Sequence, residues 1–474
     1  MTPDDSRGRW VALIVCCSAL FMTLLDVSVT NVALPSIADD TGAGPSELQW
    51  IVSGYTLAFG LVPVLGGKLG DDHGRRVMFQ VGVGGFAATS LLSGLAPNAH
   101  ILIAARVLQG LAGGLVNPQV SGLVQQMFSG SERGRAFGVL GTTVGVGTAI
   151  GPLVGGALIA LGGPGLGWRL VFFVNIPIGI LVIFLARRLL PAPTESTPHR
   201  LDYLGALLLG GATFCVLFAC VQYDALRDAR LAWLGVPTLV LGVLFYRRER
   251  RLTESSAEPL VDFRLFQRPS FVSGITLALT FFPAMAGLPL VLAIFYQQGL
   301  GYSAIQSALG VTAYAVGAAV SAPLCGRFVT RIGRPLVVAG AVTFGIGAIG
   351  LAAIAPHVPP EHAARFLAIP LFVMGCGQGA LITPNQTLSL MDVDPTMGST
   401  AGGVLQTGQR IGLAVGQAVI GAVFFSSISG SGHAAYSDAL RNAVVAALCF
   451  VALAVAIGVQ DLMRARRRTP AVEG

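Results

Sequence analysis

The sequence predicts an all-α membrane protein with fourteen membrane-spanning helices, arranged as two six-helix halves with two further helices inserted between them. Apolar residues make up 53% of the 474 residues and charged residues only 11%, whereas a soluble domain is about 25% charged. Fourteen apolar runs approach the roughly 20 residues that cross a bilayer. A charged, glycine-rich stretch follows the second run, at 67–76, and recurs at 326–335 after the second run of the later half. Two related halves are the layout of a secondary transporter.

The order of the apolar runs divides the chain into three parts. We predict a first half at 1–190, an inserted pair of helices with its linkers at 191–268, and a second half with a tail at 269–474. The inserted pair is expected to pack outside the transport core. The runs lie roughly at 10–34, 48–68, 77–97, 101–127, 135–161, 169–190, 203–223, 230–247, 270–296, 304–328, 335–356, 365–391, 399–425 and 438–460.

The positive charges predict how the chain lies in the membrane. Most of the 30 Lys and Arg residues occur in alternate loops, on the side that carries Lys68. This bias places both termini in the cytoplasm, and we expect a multi-pass, monomeric protein of the plasma (inner) membrane. The same distribution argues against nucleic acid as the partner of the net charge of +7. The seven cysteines lie in apolar runs without metal-ligand spacing, so we predict neither a metal site nor a cofactor.

Asp26 is the main functional candidate. It is the acidic residue that lies near the middle of an apolar run, and it shares a helix face with Thr23 and Thr30. Burial raises the pKa of a carboxyl group, which allows proton exchange near neutral pH, and intramembrane acids commonly mark proton paths. The alternative is a permanent salt bridge that only joins two helices.

Arg106 in the fourth run is the predicted partner of Asp26. It falls on one helix face with Gln109, Gly110, Gly113 and Asn117. A cation there favours the ionised form of Asp26 and opposes the effect of burial. The alternative is an arginine that simply bonds backbone carbonyl groups.

The stretch from Gly67 to Arg76 combines glycines with charges, which hydrocarbon tolerates poorly, so we predict a tight turn outside the bilayer. Its pattern resembles the loop signature of the major facilitator superfamily. The matching residues are Gly67, Leu69, Asp71, Gly74, Arg75 and Arg76. The resemblance implies that this loop stabilises one conformation of the gate, with Asp71 near a helix N-terminus or paired with a loop arginine. The alternative is a turn with solvated charges.

The fifth run carries three glycines at four-residue spacing, which predicts a flat face for close helix approach, and a proline, which predicts a bend. The run also resembles the antiporter signature of the superfamily, which is associated with proton-coupled exporters. The matching residues are Gly147, Gly151, Pro152, Gly155 and Gly156.

The resemblance covers nearly the whole chain and is most specific for the fourteen-span drug:proton antiporters. The matching stretches are 25–35, 106–110, 168–169 with 175–179, 201–205, 259–262 with 265–266, and 398–416. It implies a major facilitator fold and a role for Arg106 in proton transfer. Some members carry another acid in the second half. This chain has none near mid-span, which argues against a two-proton or dication-specific scheme.

Polar residues in the spans are candidates to line a substrate cavity, and each can instead bond a neighbouring helix. Arg410 stands out, because an unpaired buried guanidinium is costly and has to face water, backbone groups or substrate. The full set of candidates is Thr30, Asn31, Tyr55, Gln109, Asn117, Gln297, Gln378, Asn385, Gln406 and Arg410.

These observations predict a non-enzymatic, proton-coupled efflux antiporter for hydrophobic, drug-like compounds, driven by the proton gradient. A dedicated exporter of one endogenous compound (an antibiotic, amino acid or siderophore) would have the same sequence features. An uptake symporter is disfavoured by the run at 147–156. A membrane enzyme or lipid-handling protein would need a paired acid, a histidine cluster or a metal site, and the sequence shows none. No nucleotide-binding P-loop pattern occurs, which argues against an ATP-driven pump.

Overall fold

The computed structural model describes residues 6–192, 202–226, 229–254, 259–430 and 432–468, and within them every regular element is helical. This confirms the all-α prediction. Most of the polar stretch 191–200 and Leu201 of the 201–205 motif lie outside the described residues. The helices are α1 (Ser6–Thr41), α2 (Pro45–Leu61), α3 (Pro63–His73), α4 (Arg75–Gly94), α5 (Ala99–Met127), α6 (Gly130–Phe173), α7 (Asn175–Leu189), α8 (Tyr203–Leu226), α9 (Gly235–Glu254), α10 (Pro269–Ile294), α11 (Ala304–Ile332), α12 (Arg334–Ile354), α13 (Ala363–Ser389), α14 (Gly398–Ser426) and α15 (His433–Arg468).

The described residues contain twelve helices long and apolar enough to cross a membrane, or up to thirteen when the bent pair α2 and α3 counts as one span. The chain is therefore a multi-pass membrane protein. One apolar run, Ile150–Leu189, covers a region in which the sequence predicts parts of two spans. Its backbone leaves helical geometry at Gly163, Pro164 and Gly165. The count of fourteen spans and the three domain boundaries stay predictions.

The stretch from Gly67 to Arg76 is not the tight turn that its composition predicts. α3 continues as a helix through His73, and the turn is the single residue Gly74, whose φ of 96° favours glycine. The second half repeats this geometry at Gly333, whose φ is 71°, between α11 and α12. The charged residues of the first stretch therefore lie on helix ends at one end of the bundle, which we call the loop end.

Glycines bring the helices of each half close together. A Cβ atom on Gly110 of α5 would overlap the backbone of α2 at Tyr55, and one on Gly375 of α13 would overlap α11 at Tyr314. The two halves then meet along α6 and α11, where Gly134 faces the backbone of Gly326, and between α3 and α14.

The two inserted helices occupy different positions. α9 exposes its apolar side chains, including Leu239 and Val243, as expected for a helix outside the core. In contrast, α8 contacts both α2 and α14, and its Leu217 packs on Leu57 and Ala414. The expectation that both helices stay outside the core is therefore wrong for α8, which fills the space between a helix of each half.

Candidate functional site

A buried polar network surrounds Asp26 inside the first half. One carboxylate oxygen, Oδ2, accepts a hydrogen bond from Arg106 Nη1 at 2.5 Å. The other, Oδ1, accepts bonds from Gln109 Nε2 and Asn175 Nδ2, both at 2.9 Å. Ser90 joins the network by accepting from Gln109 at 2.6 Å and from Asn175 at 3.1 Å. Four helices, α1, α4, α5 and α7, thus converge on one carboxylate.

Arg106 is enclosed as tightly as its partner. Both Asp26 and Arg106 are only 1% exposed. The guanidinium also donates to the backbone carbonyl of Ile51 at 3.3 Å and to Gln109 Oε1 at 2.7 Å. It lies over the Tyr55 ring, 4.2 Å from the ring centroid. The pairing that the sequence predicts is therefore present, and the alternative contact to a backbone carbonyl occurs at the same time.

Sequence reasoning missed two members of this network. In the sequence, Asn175 belongs to the stretch 175–179 that resembles the fourteen-span branch, and nothing marks it as a partner of Asp26. The sequence does not mark Ser90 as a functional residue, because a serine among small residues in an apolar run is common. Only the convergence of α4 and α7 on α1 reveals their contacts.

Two cavities lie between the halves and share Arg410. The central cavity has a volume of ≈ 310 Å³, and its lining combines apolar side chains with polar ones, among them Asn117, Gln378, Gln406 and Arg410. The outer cavity has a volume of ≈ 440 Å³ and lies beyond it, between α1, α2, α8 and α14. Its lining includes Asn31 and Arg410. It is bordered by the last part of α1 and the first part of α2, away from the loop end.

The central cavity is linked to the Asp26 network by two aromatic rings. The Arg410 guanidinium lies 4.1 Å from the centroid of the Phe59 ring. Phe59 contacts Tyr55, with ring centroids 5.8 Å apart, and Tyr55 in turn contacts Arg106. The two arginines therefore lie at opposite ends of one pair of aromatic side chains, whose rings are tilted by 40°.

The ten cavity candidates divide into two groups. Five of them line a cavity, namely Asn31, Asn117, Gln378, Gln406 and Arg410. The other five are not among the described lining residues, namely Thr30, Tyr55, Gln109, Gln297 and Asn385.

The contacts or the burial of each residue in the second group explain why it does not line a cavity. Gln109 is bound to Asp26, and Tyr55 is buried between Arg106 and Phe59. Asn385 donates to the Gly274 carbonyl at 3.1 Å, which joins α13 to α10. Thr30 is 1% exposed within the helix bundle. Gln297 is exposed in a short π turn that follows α10.

The predicted antiporter run packs α6 against α1 close to Asp26. A Cβ atom on Gly147 would touch Leu24 at 3.3 Å, one on Gly151 would overlap Ser28, and one on Gly155 would touch Val29 at 3.0 Å. Gly156, in contrast, faces open space. α6 continues through Pro152 without a break, and its non-helical residues come later, at 163–165. The flat packing face is confirmed, while its role in antiport stays a prediction.

Asp71 joins the two halves at the loop end. Its carboxylate accepts the backbone N–H groups of Ser399 at 3.1 Å and Thr400 at 2.8 Å, at the N-terminus of α14. Arg75 donates to the same carboxylate at 3.0 and 2.8 Å. Asp71 therefore occupies both positions that the sequence predicts, since a helix N-terminus attracts a negative charge.

Further contacts of this stretch close the loop end. Arg75 also donates to Gly122 at 2.8 Å and to the backbone carbonyl groups of Pro395 and Thr396. Bonds from the backbone and hydroxyl of Thr396 hold the pKa of Asp394 below its usual value, so this neighbouring carboxylate stays ionised.

The other members of the loop signature have local partners. Arg76 donates to the Leu190 carbonyl at 3.4 Å, and Asp72 pairs with Lys68 at 3.1 Å. Gly67 faces the backbone of Ser399, and a Cβ atom there would overlap it. The glycine thus permits the close approach of α3 to α14.

This helix bundle, with its two repeated halves and the loop signature between α3 and α4, matches one family. The family model of the Major Facilitator Superfamily matches residues 16–417 and 275–471. The chain belongs to the major facilitator superfamily. It is therefore a membrane transporter by family.

Relatives match along most of the chain. The "Probable actinorhodin transporter" of Streptomyces coelicolor is 36% identical, over 93% of this chain and 77% of the relative. The "Riboflavin transporter RibZ" of Clostridioides difficile is 28% identical, over 95% and 97%. The "Multidrug resistance protein Stp" of Mycobacterium tuberculosis is 31% identical, over 90% and 77%.

A solved structure supports the fold independently. The proton:xylose symporter XylE aligns with a TM-score of 0.67 over 96% of both chains, at 15% identity. At this identity the likeness shows the shared fold and carries no information about substrate.

Proposed function

We propose that this protein is a proton-coupled efflux antiporter that exports hydrophobic organic compounds of drug-like size across the plasma membrane by alternating access. The observation that carries the proposal is the sealed Asp26–Arg106 pair on helices that also border the cavities. α1 holds Asp26 and continues to Asn31 of the outer cavity. A change of charge at Asp26 therefore acts on a helix that shapes the transport path.

The protonation state of Asp26 can bias the two conformations of the carrier. A protonated Asp26 loses its charge attraction to Arg106 but keeps two amide donors close by, so α1 and α5 are held differently in the two protonation states. Coupling requires only that proton and substrate favour different conformations. Outside, Asp26 takes up a proton and the carrier turns inward; inside, proton release and substrate binding favour the return.

The contacts at the loop end support the assignment of the structure to an outward-facing conformation. With the loop end in the cytoplasm, as the positive charges predict, Asp71 and Arg75 close the inner side and the outer cavity faces outward. In this transport cycle the Asp71 contact stabilises the outward-facing state and has to break in each turnover.

The relatives support export of organic compounds. One is named for multidrug resistance and another for the transport of actinorhodin. The second name favours an alternative within the same mechanism, namely a dedicated exporter of one endogenous compound. A broad substrate panel distinguishes the two, because a dedicated exporter would accept few of its members.

The test uses everted membrane vesicles with an acid interior. We would follow ethidium and a small panel of lipophilic compounds in vesicles that carry the wild-type protein or Asp26→Asn. We expect gradient-driven accumulation of at least one panel compound with the wild-type protein and its loss in Asp26→Asn, because an amide does not exchange the proton. Asp39→Asn is the matched control, since Asp39 lies on the same helix and is exposed.

The outcomes separate the parts of the proposal. Accumulation that survives in Asp26→Asn excludes Asp26 as the coupling residue. Accumulation that persists when the pH gradient is collapsed contradicts proton coupling itself. Transport of no panel compound by folded, membrane-inserted protein contradicts broad specificity and favours the dedicated exporter.

A further inference from the structure

Both cavities contain one kind of charge. Among the described residues that line them, the only charged side chain is Arg410, and none is an aspartate or a glutamate. Arg410 lines both cavities, so any substrate that passes from the centre to the outer side moves past its guanidinium. Arg410 is therefore the one formal charge, among the described lining residues, that a substrate meets along this path.

Arg410, which is partly buried, also differs from three arginines of the helix bundle that pair with an acid. Arg106 pairs with Asp26 at 2.5 Å, Arg75 with Asp71 at 2.8 Å, and Arg334 with Asp461 at 2.8 Å. For Arg410, no carboxylate or carbonyl oxygen of the described residues lies within bonding distance, and its close neighbour is the Phe59 ring. An arginine without an anion inside a membrane protein is costly, so a ligand that supplies the anion gains binding energy.

The rest of the central cavity defines the other features of that ligand. Three amide side chains that line it have buried oxygens without a hydrogen-bond donor, namely Asn117 Oδ1, Gln378 Oε1 and Gln406 Oε1. These oxygens fit hydroxyl or N–H groups of a ligand. The rest of the wall combines apolar side chains, including Leu24, Phe282 and Met285, with further hydroxyl and amide side chains. A volume of ≈ 310 Å³ accepts one compound of drug-like size.

We propose that the substrates are aromatic organic anions, whose carboxylate or ionised phenol binds Arg410 while hydroxyl groups bond the amide oxygens of the central cavity. The inference rests on the proposed function and names its substrate class. A guanidinium binds a carboxylate with two parallel hydrogen bonds, which an amine-bearing cation cannot form. Lipophilic cations are accordingly poor substrates, because the path offers them one positive charge and no acid.

The charge of the substrate has a consequence for energetics. When one proton enters and one monovalent anion leaves, two charge equivalents move in the same direction across the membrane. The membrane potential, negative inside, then drives export together with the pH gradient. Exchange of a proton for a monovalent cation would instead be electroneutral and insensitive to the potential.

The experiment compares two dyes that share a xanthene ring system and differ in charge. Fluorescein is anionic and rhodamine 123 is cationic at pH 7.5. Everted vesicles with an acid, positive interior are incubated with each dye, collected on filters, and the dye is extracted and measured at one fixed pH. We expect accumulation of fluorescein above vesicles that lack the protein, and little of rhodamine 123.

Variants at Arg410 test the assignment of the site. We expect Arg410→Gln to reduce fluorescein uptake about tenfold or more, the effect of one lost charge-assisted bond pair. Arg410→Lys should retain part of the uptake, because it keeps the charge. Arg188→Gln is the matched control, since Arg188 lies over the Phe184 ring at 4.3 Å but is exposed at the end of α7.

A direct binding measurement tests the site separately from transport. Variants with verified folding are used, so a loss of binding cannot be a loss of fold. Fluorescence anisotropy measures fluorescein binding to the purified wild-type protein and to variants whose folding is verified by thermal unfolding. We expect Arg410→Gln to weaken binding by the same factor, and Arg410→Glu to abolish it and to improve binding of rhodamine 123.

The outcomes distinguish this inference from the proposed function. Asp26-dependent, gradient-driven uptake of rhodamine 123 alone, unchanged in Arg410→Gln, overturns the inference while proton antiport stands. Binding of fluorescein that requires Arg410, with uptake indifferent to the pH gradient, supports the inference and removes proton coupling. Absence of fluorescein binding to the folded wild-type protein overturns the inference.

Discussion

Arg106 and Arg410 lie at the two ends of one pair of aromatic rings, yet their surroundings are opposite. Arg106 sits over Tyr55 and is neutralised by Asp26, in a network where two amides also bind the carboxylate. Arg410 sits over Phe59 and faces two cavities without an acid among the described residues. The first arginine belongs to the N-terminal half and the second to the C-terminal half.

The difference separates two tasks that a coupled transporter has to perform. A closed ion pair changes its interaction energy when a proton binds, so the Asp26 site is suited to respond to pH. An open cation changes its energy when an anion arrives, so the Arg410 site is suited to respond to substrate. Because Tyr55 and Phe59 join the two sites, we expect a shift of either arginine to displace the rings that contact the other.

The largest expected effect is on the free energy of unfolding, at the Asp26–Arg106 ion pair. Arg106→Gln leaves the Asp26 carboxylate buried without its ion pair, which should lower the free energy of unfolding by about 3–5 kcal/mol. Arg410→Gln removes no ion pair and should cost less than about 1 kcal/mol. Unfolding of the purified proteins in mixed micelles, followed by circular dichroism, measures both.

A double variant sharpens this comparison. Asp26→Asn together with Arg106→Gln removes both charges, so its cost should be smaller than the sum of the two single costs. Equal losses for Arg106→Gln and Arg410→Gln would contradict the contrast between a paired and an unpaired arginine.

A smaller effect is expected where α6 packs on α1 beside Asp26. A Cβ atom on Gly151 would overlap Ser28, two residues from Asp26, whereas a Cβ atom on Gly156 would meet open space. Gly151→Ala should therefore cost about 1–3 kcal/mol and reduce gradient-driven transport at equal expression. Gly156→Ala, in the same run, is the control and should change neither. Identical behaviour of the two variants would remove the packing role assigned to this face.

The sequence predicted the Asp26–Arg106 pair better than the cavity around Arg410, and the reason is physical. A buried acid and a buried base in apolar spans have few possible partners other than each other. The pairing of Asp26 with Arg106 could therefore be predicted from their positions alone. Uncharged polar residues have many possible partners, and Ser90 and Asn175 became visible only in the structure. The same ambiguity explains why Asn385 and Gln297, both candidates for the cavity, are placed elsewhere.

Helix ends and helix positions were also harder to predict. Glycines with charges indicate a turn by composition, but in α3 they lie on a helix whose small residues permit contact with a neighbour. Gly70 faces the Gln119 side chain, as Gly67 faces Ser399. The position of α8 between the halves depends on contacts that are distant in sequence, such as Leu217 on Leu57.

The smallest effect is expected at the ring that supports Arg106. The Tyr55 hydroxyl is buried and lacks a hydrogen-bond partner, so Tyr55→Phe should leave the free energy of unfolding unchanged or raise it by up to about 1 kcal/mol. The ring that contacts Arg106 and Phe59 is kept, and we expect wild-type transport in the vesicle assay. Tyr55→Leu removes the ring and should lower transport, because the guanidinium loses its aromatic support. A strong loss of transport in Tyr55→Phe would instead assign the hydroxyl a place on the proton path. Asp26 and Arg106 would then form only part of the coupling site, and the contrast between the two arginines would no longer be one between a closed and an open charge.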